Sequence, residues 1–346
     1  MSVQTYYHDD NVTLLTGDAS EALRRLPSGH ADCIVTSPPY FRLRDYGVEG
    51  QIGLEENLAD YLARLSEVFT EALRVLSDHG TQWLNLGDSY VCGPAGTRVS
   101  SRLDGRSNAV TTPAGFGRKQ HAGLPDKSLI GIPWLAAFTL QNTGLWLLRS
   151  EIIWHKPNAM PESVRDRPSR KHETVFLFSK AGSGGRYHFD LDAIRQPPKT
   201  KRSPRHGRTV GRRDAKYRQD EPFPRPHGDA LKPGRPHDTV HAKGVNPGDV
   251  WSASAEDVEE QSSVWRIATN PYHRAHFATF PRELVRRAVA AGCPLGGRVL
   301  DCFSGAATTG LAALDLGCSY TGIELNPEYQ HLAAERLGLD VGSEDR

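Results

Sequence analysis

Short apolar runs recur along the 346-residue chain at residues 12–16, 32–36, 82–86, 151–155, 174–178, 298–301 and 320–324, and their length predicts seven strands. Between several of them the apolar period changes to three and four. The clearest case is Leu58, Tyr61, Leu62, Leu65, Val68, Phe69, Ala72, Leu73 and Leu76, which line one face of a helix capped by Asn57. Further helical patterns cover residues 19–26, 129–140, 281–291, 310–316 and 327–337. Strands that alternate with helices predict an α/β fold with a mostly parallel sheet and helices on both faces. Two stretches break the rhythm. Residues 93–125 are rich in Gly, Ser and Arg, and residues 181–262 carry Pro197, Pro198, Pro204, Pro222, Pro224, Pro226, Pro233 and Pro236, which argue against long helices or central strands. Both read as insertions, and no internal repeat is present. Loops of this length in a compact chain are usually functional or disordered.

Charge changes the picture of the second insertion. The formal net charge is only +1, but residues 195–243 hold fourteen Lys and Arg against five acids, a local +9 that leaves −8 on the rest. Such a segment is a candidate polyanion contact, with a solvated linker as the plain alternative. The polar first ten residues contain no apolar signal core, and no later run approaches a membrane span, so a soluble, cytoplasmic protein is expected. Cys33, Cys92, Cys293, Cys302 and Cys318 form no C-x-x-C pair, which points to reduced, mostly buried thiols. His206, His227, His237 and His241 are scattered without tight spacing or an accompanying thiolate, and no metal site is expected.

The chemistry concentrates in two places. The strand at residues 32–36 runs into Ser37-Pro38-Pro39-Tyr40, a stiff turn at the carboxyl end of a parallel strand, where open α/β sheets bind ligands. Proline nitrogens carry no hydrogen, so this turn offers carbonyl acceptors beside a hydroxyl and an aromatic ring. That set suits an amine on a flat base, although by itself a Pro-Pro-Tyr turn is more often an ordinary strand ending with a packed tyrosine. The second place is residues 298–310, Arg-Val-Leu-Asp-Cys-Phe-Ser-Gly-Ala-Ala-Thr-Thr-Gly, which read as strand, small-residue turn and helix. Small residues admit a ligand closely, and the helix start presents N–H groups to an anion. Glu324 ends the next strand, at the position that typically receives ribose hydroxyls.

Together these residues resemble the amino-methylating DNA methyltransferases, in the circularly permuted (beta) class whose catalytic loop precedes its cofactor loop. Ser37-Pro38-Pro39-Tyr40 looks like the family's catalytic motif, and residues 301–309 look like its Asp-Pro-Phe-x-Gly-x-Gly-Thr-Thr loop. Gly17-Asp18, Ile152 to Asn158, His172-Glu173, residues 247–251 and residues 276–281 match in the same frame. The resemblance implies a seven-stranded Rossmann-like methyltransferase sheet with S-adenosylmethionine as cofactor. It assigns the catalytic loop to Ser37, Pro38, Pro39 and Tyr40. It assigns cofactor binding to Asp18, Ala19, Thr279, Phe280, Pro281, Asp301, Phe303, Ser304, Gly305, Thr308, Thr309, Glu324 and Asn326. Double-stranded DNA with a specific recognition site is the implied substrate, in a bacterial restriction-modification setting at the nucleoid; a cognate endonuclease would be a separate, unbound partner, and the sequence does not say whether one exists. The implied division is a catalytic half at residues 1–180, a basic target-recognition insertion at 181–262 and a cofactor half at 263–346.

Within that family Ser-Pro-Pro-Tyr leans to N4 of cytosine and Asp-Pro-Pro-Tyr to N6 of adenine, so N4-cytosine methylation is expected and N6-adenine is the alternative. The Ser37 and Pro38 carbonyls would orient the amine, and Tyr40 would stack on the flipped base. Cys302 departs from the family's usual Pro. Ala307 departs from a second Gly, and its methyl is expected to crowd the methionine end of the cofactor. A nicotinamide oxidoreductase would share the loop and the acid, but it requires G-x-G-x-x-G, which Gly305-Ala-Ala-Thr-Thr-Gly310 is not. A silent DNA-binding protein and a methyltransferase acting on RNA or protein amides are the other rivals.

Overall fold

The computed structural model describes residues 2–91, 124–159, 162, 164–195 and 280–341, together with the backbone of the strand Val264–Arg266. Among these residues nine strands form one sheet. In chain order they are β1 (Gln4–His8), β2 (Val12–Thr16), β3 (Ala31–Thr36), β4 (Leu76–Leu86), β5 (Trp146–His155), β6 (His172–Lys180), β7 (Val264–Arg266), β8 (Arg298–Asp301) and β9 (Ser319–Glu324). Their order across the sheet is β1-β2-β9-β8-β3-β4-β6-β5-β7. The run from β2 to β4 is parallel throughout, whereas β1 and β6 are antiparallel to their neighbours. All seven predicted strands are present within this sheet.

Alternation along the central strands explains why both faces are covered. Ile34, Leu84, Leu86, Phe176 and Phe178 face one apolar cluster, while Cys33, Val35, Trp83, Val175 and Leu177 face the other. The first cluster is closed by α1 (Ala19–Arg25), α2 (Leu58–Val75) and α3 (Ile132–Asn142). The second is closed by α4 (Arg282–Gly292), α5 (Thr308–Asp315) and α6 (Pro327–Leu337). In α2 the predicted stripe is the buried one, with Tyr61, Leu65, Val68, Phe69 and Ala72 against the sheet, and the Asn57 side chain accepts from the Asp60 amide at 2.9 Å. Helix α3 starts at Ile132 rather than residue 129, because Gly131 at φ +83° turns the chain and Pro133 fits only the first helical turn.

The chain divides into two units, residues 1–194 with 247–346, and residues 195–246. Beyond Arg195 the second unit lies outside the described residues, as do Thr279, Cys92, the four scattered histidines and residues 93–123 of the first interruption. Residues 181–194, expected at the start of the insertion, instead pack on the main unit. The His188 amide donates to the His79 carbonyl, that of Asp190 to the Ala291 carbonyl, and Phe189 stacks on Trp83 with centroids 6.4 Å apart. Cys33, Cys293, Cys302 and Cys318 are buried free thiols. No helix among the described residues is long and apolar enough to cross a membrane.

Candidate active site

Four adjacent parallel strands, β2, β9, β8 and β3, end at one cavity. Gly17, Asp18 and Ala19 line it after β2, Glu324 to Asn326 after β9, Cys302 to Ala306 after β8, and Ser37 and Pro39 after β3. Phe280 and Thr308 complete that wall. The predicted cofactor loop and the predicted catalytic loop therefore share one space, as expected at the carboxyl ends of such a sheet.

Glu324 is held from both of its oxygens. Its Oε2 accepts from the Gly305 amide at 2.8 Å and its Oε1 from the Asn326 amide at 2.9 Å, so two backbone hydrogens fix the carboxylate against the turn. Burial nevertheless pushes its pKa up to about 7, outweighing those two bonds. Each oxygen keeps lone-pair capacity toward the cavity. Gly17, at φ +149°, is required beside it: a Cβ there would stand 2.9 Å from Val3 Cγ2. Asp18 caps α1 by accepting from the Glu21 amide at 3.1 Å.

Asp301, Thr309 and Pro281, assigned to the cofactor by resemblance, do not line the cavity. Asp301 is a brace behind it. Its Oδ1 accepts from Thr36 Oγ1 at 2.7 Å and from the Phe303 amide at 3.0 Å, and its Oδ2 accepts from Thr309 Oγ1 at 2.6 Å. This single carboxylate thus ties the end of β3, one residue before Ser37, to the loop after β8 and to the start of α5. Burial raises its pKa to about 6. The expected crowding by Ala307 is corrected. Its φ of +54° turns the residue away, and its methyl is fully buried in the cluster under α4 to α6 and is not among the lining groups.

Within the catalytic loop, Pro38 is buried and the Pro39 carbonyl accepts from Tyr61 Oη at 3.0 Å. Tyr40 is not among the lining groups. Its hydroxyl donates to Glu173 Oε2 at 2.7 Å, and its ring lies so close to Gly87 that a Cβ there would meet Tyr40 Cε2 at 2.6 Å. Burial, followed by the Glu173 charge, holds its phenol well above the usual tyrosine range. Asn85 donates to Tyr40 Oη at 2.9 Å, to Glu173 Oε2 at 3.0 Å and to Ser37 Oγ at 3.3 Å, and Lys156 pairs with Glu173 Oε1.

Among the described residues, sequence reasoning missed a strap at residues 41–53 that supplies Tyr46, Val48, Gly50, Gln51 and Ile52 to the cavity. Gln51 holds it together, accepting from the Tyr46 amide at 2.7 Å and donating to the Arg44 carbonyl at 3.1 Å. Tyr46 meets Tyr329 of α6 edge to face across the opening, with centroids 6.4 Å apart. The Tyr-Gly-x-x-Gly-Gln run at residues 46–51, shortly after the Pro-Pro-Tyr turn, was the only available signal.

A family model described as DNA methylase (N6_N4_Mtase) matches residues 31–335. The chain belongs to this DNA methylase family. A Type II methyltransferase of Xanthomonas campestris pv. cyanopsidis, M.XycI, is 41% identical over 325 residues, covering 94% of this chain and 87% of that relative. The PvuII DNA methyltransferase (cytosine-N4-specific) superposes with a TM-score of 0.58 at 17% identity, over 97% of this chain and 89% of its own. A candidate DNA modification methylase of Thermus thermophilus, solved in complex with S-adenosyl-L-methionine, superposes with a TM-score of 0.51 at 21% identity, over 95% of this chain and 93% of its own. At these identities the two solved structures establish the fold of the methylase.

Proposed function

We propose that this DNA methylase transfers a methyl group from S-adenosylmethionine to the exocyclic N4 of a cytosine flipped out of duplex DNA. The observation that carries the reading is the single cavity lined both by Gly17, Asp18, Gly305 and Glu324 and by Ser37 and Pro39. The residues present fit the cofactor: Glu324 has oxygens for ribose hydroxyls, and Phe280, Phe303, Tyr46 and Tyr329 offer aromatic surface for the adenine ring. The Thermus structure with the bound cofactor supports the same choice. When bound, S-adenosylmethionine supplies an electrophilic methyl group on a sulfonium. The chain's own contribution is placement. The Ser37 and Pro38 carbonyls accept the amine hydrogens and turn the nitrogen lone pair toward that methyl, so the acceleration is mainly orientational.

Preference for N4 of cytosine rests on Ser37 as the first residue of the catalytic motif. The cytosine-N4 specificity in the name of the PvuII enzyme agrees with it, and the Type II name of the Xanthomonas relative supports a restriction-modification setting. The order of the two loops along the chain supports the permuted class. The basic segment from residue 195 onward is the proposed reader of DNA, its Lys and Arg neutralising phosphates. Nucleoside mass spectrometry of genomic DNA incubated with the protein and cofactor is the test. N4-methylcytosine is the expected product, and N6-methyladenine alone overturns the choice of base. Deletion of residues 200–240 is expected to abolish duplex binding while leaving cofactor affinity within about twofold, since the lining residues among the described ones belong to the strand ends and the strap of the main unit.

A further inference from the structure

Three side chains outside the 37–40 loop determine where its protons lie. Tyr40 Oη receives Asn85 Nδ2 at 2.9 Å and Ser37 Oγ at 3.4 Å, so its own proton goes to Glu173 Oε2 at 2.7 Å. Glu173 accepts there only through its Oε2, because its Oε1 is held by Lys156 Nζ, whose ammonium also sits 4.3 Å from the centre of the Trp154 ring. Asn85 further reaches Ser37 Oγ at 3.3 Å. Ser37 thus gives its proton to Tyr40 and one lone pair to Asn85, and the lone pair that remains is left for the cavity that Ser37 lines. An oxygen in that state takes over one amine hydrogen from the loop carbonyls as the nitrogen–carbon bond forms, and it has none to offer to a ring nitrogen.

On the reading that this cavity methylates an exocyclic amine, we propose that Glu173 is a positioning residue that sets this proton order and takes up the proton the amine sheds. As the nitrogen–carbon bond forms, the carbon–sulfur bond breaks and its electron pair stays on sulfur. The nitrogen then carries one hydrogen too many. That proton passes to Ser37 Oγ, the Ser37 proton to the Tyr40 oxygen, and the Tyr40 proton to Glu173 Oε2, which becomes a neutral acid and later releases it to water. The Glu173 side chain retains 15% exposure, enough for that release. Among the described residues, the titratable and charged groups around it are Tyr40 and Lys156, with His172 beside it in the chain, His155 opposite His172 on β5, and Arg170 and Asp88 beyond. Burial holds the His172 imidazole below its usual range.

The experiment uses the full chain with unmethylated genomic DNA. Glu173→Gln, whose amide donates to Tyr40 and reverses the order, is expected to lower the single-turnover rate about a hundredfold or more, the usual scale of proton-transfer assistance. Cofactor affinity should stay within about twofold, because Glu173 does not line the cavity. A readout independent of turnover is ultraviolet titration of the free protein, where Glu173→Gln should let one phenol, absent in Tyr40→Phe, ionise at lower pH. Wild-type rates in Glu173→Gln, or a phenol titration in that variant unchanged from wild type, overturn the proposal. Failure of the wild-type chain to methylate DNA overturns the reading of the site instead, and the phenol titration then still decides the proton order.

Discussion

Single atoms set tolerances around the catalytic loop. A methyl on Gly87 would lie 2.6 Å from Tyr40 Cε2, and the ring cannot swing aside freely because its hydroxyl is bonded to Glu173. Gly87→Ala is therefore expected to cost about 1 to 3 kcal/mol of stability, the usual scale of overpacking, and to depress methyl transfer while cofactor binding survives. Chemical denaturation and a transfer assay on the same preparation check both halves; full activity at lowered stability would show that Tyr40 has room to move. Asp301 offers a contrast of two substitutions. Asp301→Ala leaves the Thr36 hydroxyl, the Thr309 hydroxyl and the Phe303 amide buried without their acceptor, and a loss of about 3 kcal/mol or more is expected. Asp301→Asn retains one acceptor oxygen for Thr36 and Phe303, so its loss should be about 1 kcal/mol. Equal losses in denaturant titration would mean that the three bonds are not what the carboxylate contributes.

Elements are where the sequence was most legible, and helix α2 shows why. Its stripe of Tyr61, Leu65, Phe69 and Ala72 recurs at helical spacing, and all four are buried to within 2% exposure. Leu65→Ala is expected to cost about 2 to 5 kcal/mol and Asn57→Ala about 1 kcal/mol, measurable as separate shifts in denaturant midpoint. The seven predicted strands were equally visible, since alternation or continuous apolar character marks strands buried on both faces. What escaped notice lacked such a mark. Strand β1 lies at the sheet edge with neither face fully buried, so Gln4 to His8 show no clean alternation. The strap at 41–53 has no periodicity and is held by the Gln51 side chain instead of a ladder. The Lys156 to Glu173 pair is seventeen residues apart in the chain and meets because β5 and β6 are antiparallel, with Trp154 opposite Glu173. Resemblance flagged both residues, but only the pairing register revealed that they act on Tyr40.

At the scale of the whole molecule, the site trades stability for readiness. Glu324 and Asp301 titrate at about 7 and about 6 in the folded chain, against 4.5 and 3.8 for ordinary carboxyls. Between each pair of values the folded protein holds a proton that the unfolded chain has released. Stability contributed by these two groups is therefore largest at the acid end and declines as pH rises from about 4 to about 7, after which it is constant; each unit of elevation corresponds to about 1.4 kcal/mol. Glu324→Gln removes one of the two titrations. Its melting temperature minus that of the wild type should rise steadily from about pH 4.5 to about pH 7 and level off above, and subtraction cancels the other acids that dominate the raw curve. A difference that falls with pH would mean that the Gly305 and Asn326 amides outweigh burial. Hydroxyls donating to Glu324 favour its charged form, so binding S-adenosylmethionine at about pH 6.5 should release a fraction of a proton. Calorimetry in two buffers of different ionisation enthalpy reads that fraction directly, and it should vanish in Glu324→Gln and above about pH 8.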